Sequence, residues 1–146
     1  MTVLLATVED TEKFGAKLYT AREHFALVFL IGDLGAGKTT LVRGFLRAAG
    51  YQGAVKSPTF TLVEEYQLDD IKIVHFDLYR LNDPEELELI GFSDYLDEDT
   101  LCFIEWPEMG EGFLPEPDLT LSLKAQVQGH TLDLLKMPDE CQILNF

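Results

Sequence analysis

Residues 25 to 31 read FALVFLI, an unbroken apolar run that stops at Gly32. A half-exposed strand alternates, whereas a short continuous run bounded by a turn residue fits a strand covered on both faces, so this segment is expected to be a central parallel strand. Ahead of it, Asp10 or Thr11 is placed to cap a short amphipathic helix in which Phe14, Leu18 and Ala21 return at helical spacing. Behind it, residues 38 to 49 are good helix formers with Leu41, Phe45 and Ala48 on one face, and Gly50 stands where a C-terminal cap belongs.

Ser57 and Pro58 mark a turn, after which residues 59 to 67 and 71 to 78 read as two strands of an antiparallel hairpin closed by Asp69 and Asp70. Asp83, Pro84, Glu85 and Glu86 combine an N-cap, a proline at the first helical position and a capping-box spacing, which predicts a helix ended by Gly91. Residues 101 to 104, LCFI, form a second buried run that stops at Glu105 and Trp106, before a glycine- and proline-bearing loop reaching Pro117. Weaker alternation at 119 to 123 and 130 to 135 predicts two edge strands. The expectation is one α/β domain over residues 1–146, with a mostly parallel central sheet, an antiparallel hairpin and edge strands.

The join between the first buried strand and its helix carries the most specific chemistry. Gly32, Gly37, Lys38 and Thr39 fit GxxxxGKT, the spacing of a P-loop, in the strand-loop-helix context that such a loop needs. Glycines let the backbone turn with its N–H groups inward, a nest of donors at a helix N-terminus that suits phosphate. The nucleotide-binding stretch is Asp33, Leu34, Gly35, Ala36, Gly37, Lys38, Thr39 and Thr40, with Lys38 reaching the terminal phosphates and the Thr39 hydroxyl placed for Mg²⁺. The fold expected is thus the three-layer P-loop NTPase fold. No NKxD sequence is present to read guanine, which favours ATP over GTP.

Such a site needs a carboxylate at the end of a neighbouring buried strand. Glu105 directly follows LCFI and is the candidate metal partner. Asp77 is the other, because His75, Asp77 and Tyr79 alternate onto one face of a strand; a solvated strand face would show the same alternation, and spacing does not decide between them. Arg80 could stabilise charge in the site or simply lie at the surface, and Trp106 could stack on a ligand or belong to the core.

Charge narrows the partners. A formal net charge of -15 opposes unaided binding to nucleic acid, despite Arg43, Arg47 and Lys56 near the loop, and points first to a protein partner. Cys102 and Cys141 belong to no metal-binding spacing and read as core thiols. The first residues lack the succession of a secretion signal and no apolar run could span a bilayer, so a cytoplasmic location without membrane contact is expected.

Taken in order, GDLGAGKTT at 32 to 40, VKSPTFTLVEEY at 55 to 66, HFDLYRL at 75 to 81, DPEELE at 83 to 88 and IEWPE at 104 to 108 resemble the TsaE (YjeE) ATPases, over roughly Gly32 to Pro115. The resemblance implies a role in making threonylcarbamoyladenosine on tRNA, in which TsaB and TsaD carry the transferase centre and tRNA is met only through the complex. It implies ATP and Mg²⁺ as cofactors, Lys38 on the phosphates, Thr39 and Glu105 on Mg²⁺, and Asp77 at the hydrolytic centre. Ser57 and Thr59 would correspond to a switch-like loop near the γ-phosphate. Two other functions share the loop: a P-loop kinase for a small molecule, and a nucleotide-gated binding module in which hydrolysis is incidental.

Overall fold

Seven strands make one sheet in the computed structural model of the protein, which describes residues 1–143. The strands are β1 (Thr2–Leu5), β2 (Leu27–Ile31), β3 (Val63–Gln67), β4 (Lys72–Asp77), β5 (Thr100–Glu105), β6 (Leu119–Ala125) and β7 (His130–Lys136). The helices are α1 (Val8–Thr20), α2 (Lys38–Ala48) and the single turn α3 (Glu86–Leu89). Across the sheet the order is β1-β7-β6-β2-β5-β4-β3. The middle four strands run parallel; β7 pairs antiparallel with β6, β1 antiparallel with β7, and β3 antiparallel with β4.

Both faces of β4 and β5, and most of β2, are covered, which is why β2 and β5 read as unbroken apolar runs. On one face α1 and α2 bring Phe14, Leu18, Leu41 and Phe45 onto Val28, Leu30, Phe103 and Leu121. On the other, Leu87 of α3 and Phe92 of the following 3₁₀ turn close over Val74, Phe76, Cys102 and Ile104. The two long helices lie unusually close. A Cβ built on Gly15 of α1 would sit 2.1 Å from the Leu41 carbonyl oxygen, and one on Gly44 of α2 would sit 2.1 Å from that of Glu12.

Several elements differ from their sequence-based expectation. Helix α1 is capped by Thr7, not by Asp10 or Thr11: Thr7 Oγ1 accepts from Asp10 N at 3.1 Å while Thr7 N donates to Asp10 Oδ2 at 3.2 Å. This reciprocal box satisfies two orphan donors at once, which a cap further along could not do. Strand β1 was not anticipated, since four residues carry almost no periodicity and this strand is held by its pairing with β7. Strands β6 and β7 are interior, not edge strands. Their alternation arises because only the face under α1 and α2 is covered there, so Leu119, Leu121 and Leu123 are buried while the residues between them are not.

The hairpin begins later than its residue types imply. Residues 59 to 62 form a turn in which Leu62 N donates to Pro58 O at 2.8 Å and Leu62 takes a φ of 72°. The helix expected from Asp83 is reduced to one turn. Asp83 Oδ1 accepts from Glu85 N at 2.9 Å, and Glu86 reaches Asn82 N at 3.2 Å, so the polar side chains build a turn ahead of a helix that Gly91, at φ 72°, soon ends.

Candidate active site

Parallel register gathers the site. Leu30 of β2 lies opposite Glu105 of β5, and Glu105 opposite Asp77 of β4, so the loop after β2 and both carboxylates meet at the carboxyl edge of the sheet. In open α/β sheets this edge is where ligands bind.

Between β2 and α2 the backbone turns through Gly32, Gly35 and Gly37, at φ 154°, 81° and 102°, values that side-chain-bearing residues rarely adopt. Gly32 has a second reason to lack a side chain, since a Cβ there would stand 2.6 Å from the Leu123 carbonyl oxygen of β6. Gly37 is the N-cap of α2 and supplies no capping side chain. Unmet first-turn amides together with the helix dipole make such an end attractive to anions.

Lys38, the first residue of α2, is buried and bends back over the loop, where its Nζ donates to the Gly32 carbonyl, lies 3.2 Å from Glu105 Oε1 and stands 5.0 Å from the centre of the Trp106 ring. Glu105 is also buried, and its second oxygen lies 2.6 Å from His75 Nε2. Neither atom makes a hydrogen bond of good geometry, so the approach counts as a close polar contact.

Burial alone pushes the Glu105 carboxyl up, but His75 and Lys38 together outweigh it and hold the group below the usual range. Because the folded value lies below the unfolded one, ionised Glu105 stabilises the fold fully above about pH 4.3 and progressively less as pH falls through the folded value. Glu105→Gln is therefore expected to flatten the acid limb of stability. Thermal melts between about pH 6 and pH 3 should show a smaller fall in Tm for the variant than for the parent.

Asp77 is buried as well, which rules out a solvated strand face. Its Oδ1 accepts from Tyr79 N and its Oδ2 from Thr59 Oγ1, both at 2.9 Å, and Thr59 Oγ1 is 2.8 Å from Ser57 Oγ. The segment before β3 is thereby tied to the carboxylate at the end of β4. Trp106 follows Glu105 with φ 55°, and its ring packs 4.9 Å from that of Tyr79. A non-glycine residue held in this region is strained, a feature that gathers at functional sites.

Ala36 is buried beneath the loop, Leu34 is exposed at its tip, and Thr39 and Thr40 are half-buried in the first turn of α2. Beside the loop a cleft of ≈ 500 Å³ is lined by Asp33, Leu34, Trp106, Glu108, Lys124 and Gln126, among others. The basic residues near the loop do not gather into an anion patch. Arg43 pairs with Glu12 at 3.3 Å, and Arg47 donates to the carbonyls of Tyr51 and Gly53 at 2.9 and 2.7 Å. Arg80 stacks over the exposed Phe60 ring at 4.5 Å.

The family model for "Threonylcarbamoyl adenosine biosynthesis protein TsaE" matches residues 5–132. The chain belongs to the TsaE family. The matched stretch takes in the glycine loop, His75, Asp77 and Glu105. This TsaE-family chain is 53% identical over 119 residues, 82% of its length, to the Haemophilus influenzae "tRNA threonylcarbamoyladenosine biosynthesis protein TsaE", covering 74% of that protein. To the protein of the same name from Rickettsia felis it is 32% identical over 146 residues, 99% of this chain and 85% of the other. Its structure resembles the crystal structure of Bacillus subtilis YdiB with a TM-score of 0.75 and 28% identity, over 99% of this chain and 90% of that one.

Among the residues gathered at this edge, His75 has a place in the site that the pattern of residues does not single out. Its signal is weak but real: a polar side chain on the strand face it shares with Asp77, in a strand that proves to be buried almost throughout.

Proposed function

We propose that this chain is the Mg²⁺-dependent ATPase subunit that supports threonylcarbamoyladenosine formation on tRNA, working with TsaB and TsaD in the cytoplasm. The names of its relatives support the pathway. The activity rests chiefly on one observation: Lys38 and Glu105 are paired at the uncapped start of α2, with Asp77 beside Glu105 in the next strand. That arrangement fits a P-loop with its metal-side carboxylate.

The residues suit magnesium nucleotide. Among the described residues no group of three or more His, Cys, Asp or Glu side chains could hold a metal ion by itself. Mg²⁺ would rest on Thr39, Glu105, phosphate oxygens and water, the manner in which this small and strongly hydrated ion is usually held. When bound, the magnesium nucleotide supplies a terminal phosphoryl group open to attack by water.

The chain's own groups do the rest. Amides from Gly35 to Thr39 bind phosphate oxygens, and Lys38 Nζ adds a positive charge where negative charge develops. Thr39 Oγ1 and Glu105 would hold the metal side, and Asp77 would accept a hydrogen bond from the attacking water. Thr59 shares Asp77 Oδ2, so movement of residues 57 to 59 would alter what this carboxylate can accept.

A small-molecule kinase is disfavoured by where the arginines are spent. Arg22 lies over the Tyr19 ring at 4.1 Å, Arg43 and Arg47 have the partners described above, and Arg80 lies over an exposed ring, so the four arginines are scattered and form no phosphate lid. The net charge of -15 accords with meeting tRNA only inside a complex. No described helix is long and apolar enough to cross a membrane.

Steady-state phosphate release is expected to be slow for the chain alone and faster with TsaB, TsaD and tRNA. An unchanged rate in the full mixture, together with tRNA modification that proceeds without this chain, would refute the reading.

A further inference from the structure

Strand β4 carries a histidine where burial on both faces favours an apolar residue. His75 is 0% exposed, and neither of its ring nitrogens makes an aligned hydrogen bond among the described residues. Burying an unpaired polar nitrogen is unfavourable, so a leucine or phenylalanine would fill this volume more cheaply. Packing therefore does not account for the imidazole. What distinguishes His75 from an apolar filler is its Nε2, 2.6 Å from Glu105 Oε2.

The two partners of Glu105 differ in kind. Lys38 meets Oε1 from a long flexible side chain rooted at the start of α2, and its ammonium is the group that the ATPase reading directs to phosphate. His75 meets Oε2 from a short side chain on an interior strand, with its ring edge-on to Phe103 at 6.4 Å, the residue opposite it in β5. A lysine that turns toward phosphate leaves Oε1 uncovered, while the histidine stays. Groups standing behind a metal-binding carboxylate fix its orientation and so its affinity for the ion.

We infer that His75 is a positioning residue whose Nε2 holds Glu105 Oε2, so that Oε1 is the oxygen presented to a divalent cation beside the glycine loop. The inference rests on the ATPase reading and adds to it the group that aligns the metal-side carboxylate.

Two amide replacements separate this role from simple space filling. In Gln the side-chain nitrogen sits about as far from the backbone as His Nε2, whereas in Asn it stops at the level of Nδ1 and cannot reach Glu105. Mn²⁺ binding would be followed by electron paramagnetic resonance in saturating non-hydrolysable ATP analogue, and analogue binding in EDTA by calorimetry, with thermal melts as a check on folding. His75→Asn is expected to weaken Mn²⁺ binding about tenfold or more, within the range usual for loss of a group supporting a metal ligand. His75→Gln should stay within about threefold of the parent, and both variants should bind analogue in EDTA within about twofold of it.

Equal Mn²⁺ affinity in the Asn and Gln variants would overturn the inference, as would a loss of analogue binding in EDTA that matches the loss of Mn²⁺. A parent chain that binds no analogue at all defeats the ATPase reading and this one with it. A parent that binds normally beside a silent His75→Asn defeats this one alone.

Discussion

Lys38→Ala is expected to weaken binding of magnesium ATP by about a hundredfold or more, since hydrogen bonds to charged groups contribute about 1.5–3 kcal/mol each and the ammonium can make two. A second effect has the same sign. Without Lys38, Glu105 keeps only His75 and presents less compensated negative charge to the phosphates. Calorimetry with nucleotide and excess Mg²⁺ reads the loss directly. Affinity within about threefold of the parent would show that the glycine loop does not act through this ammonium.

The same substitution bears on stability. Removing one partner of a buried ion pair costs about 3–5 kcal/mol when the other is left alone, and the loss should be smaller here because His75 remains on Oε2. Adding Glu105→Gln to Lys38→Ala should recover part of the thermal loss, because the amide carries no charge to leave unpaired.

The second large effect lies away from the glycine loop, where α1 crosses α2. Gly15→Ala and Gly44→Ala each place a methyl group about 2.1 Å from a backbone carbonyl oxygen of the facing helix. A flexible side chain could give way, but two packed helices must separate, lifting Phe14, Leu18 and Phe45 from the shared core. Each variant is expected to lose about 3 kcal/mol or more, the upper end for overpacking, which in a chain of this size lowers Tm by roughly 10 °C. Melts within about 2 °C of the parent would mean that the helices part without cost. Since α2 begins at Lys38, the nucleotide affinity of these variants would report how firmly the helix crossing sets the loop.

The residues taken as the core of the site were legible for different reasons. The glycine loop is a local device: its turns, its helix start and its lysine lie within eight consecutive positions, and each follows from backbone sterics or chain reach. Glu105 was legible because it ends an apolar run, a one-dimensional sign of the carboxyl edge of a buried strand. Asp77 was only half legible, since alternation in residues 74 to 79 fits a solvated face as well as a functional one, and the burial of β4 from Ile73 to Asp77 decides the matter. His75 was legible only as one polar position in that alternation.

By itself, the amino-acid sequence determined the glycine loop between a strand and a helix, the first two helices, the hairpin turn at Asp69 and Asp70, and the strands that end at Ile31 and Glu105, because caps, turns and periodicity act over a few residues. Only the tertiary structure decided that β5 lies between β2 and β4, that β6 and β7 are interior, and that His75, Glu105 and Lys38 form one buried cluster. The physical reason is that alternation records which faces of a strand are covered and not which strand lies beside it. Neighbours are chosen by contacts between segments far apart in the chain, and the contact of His75 with Glu105 exists only once those strands have paired.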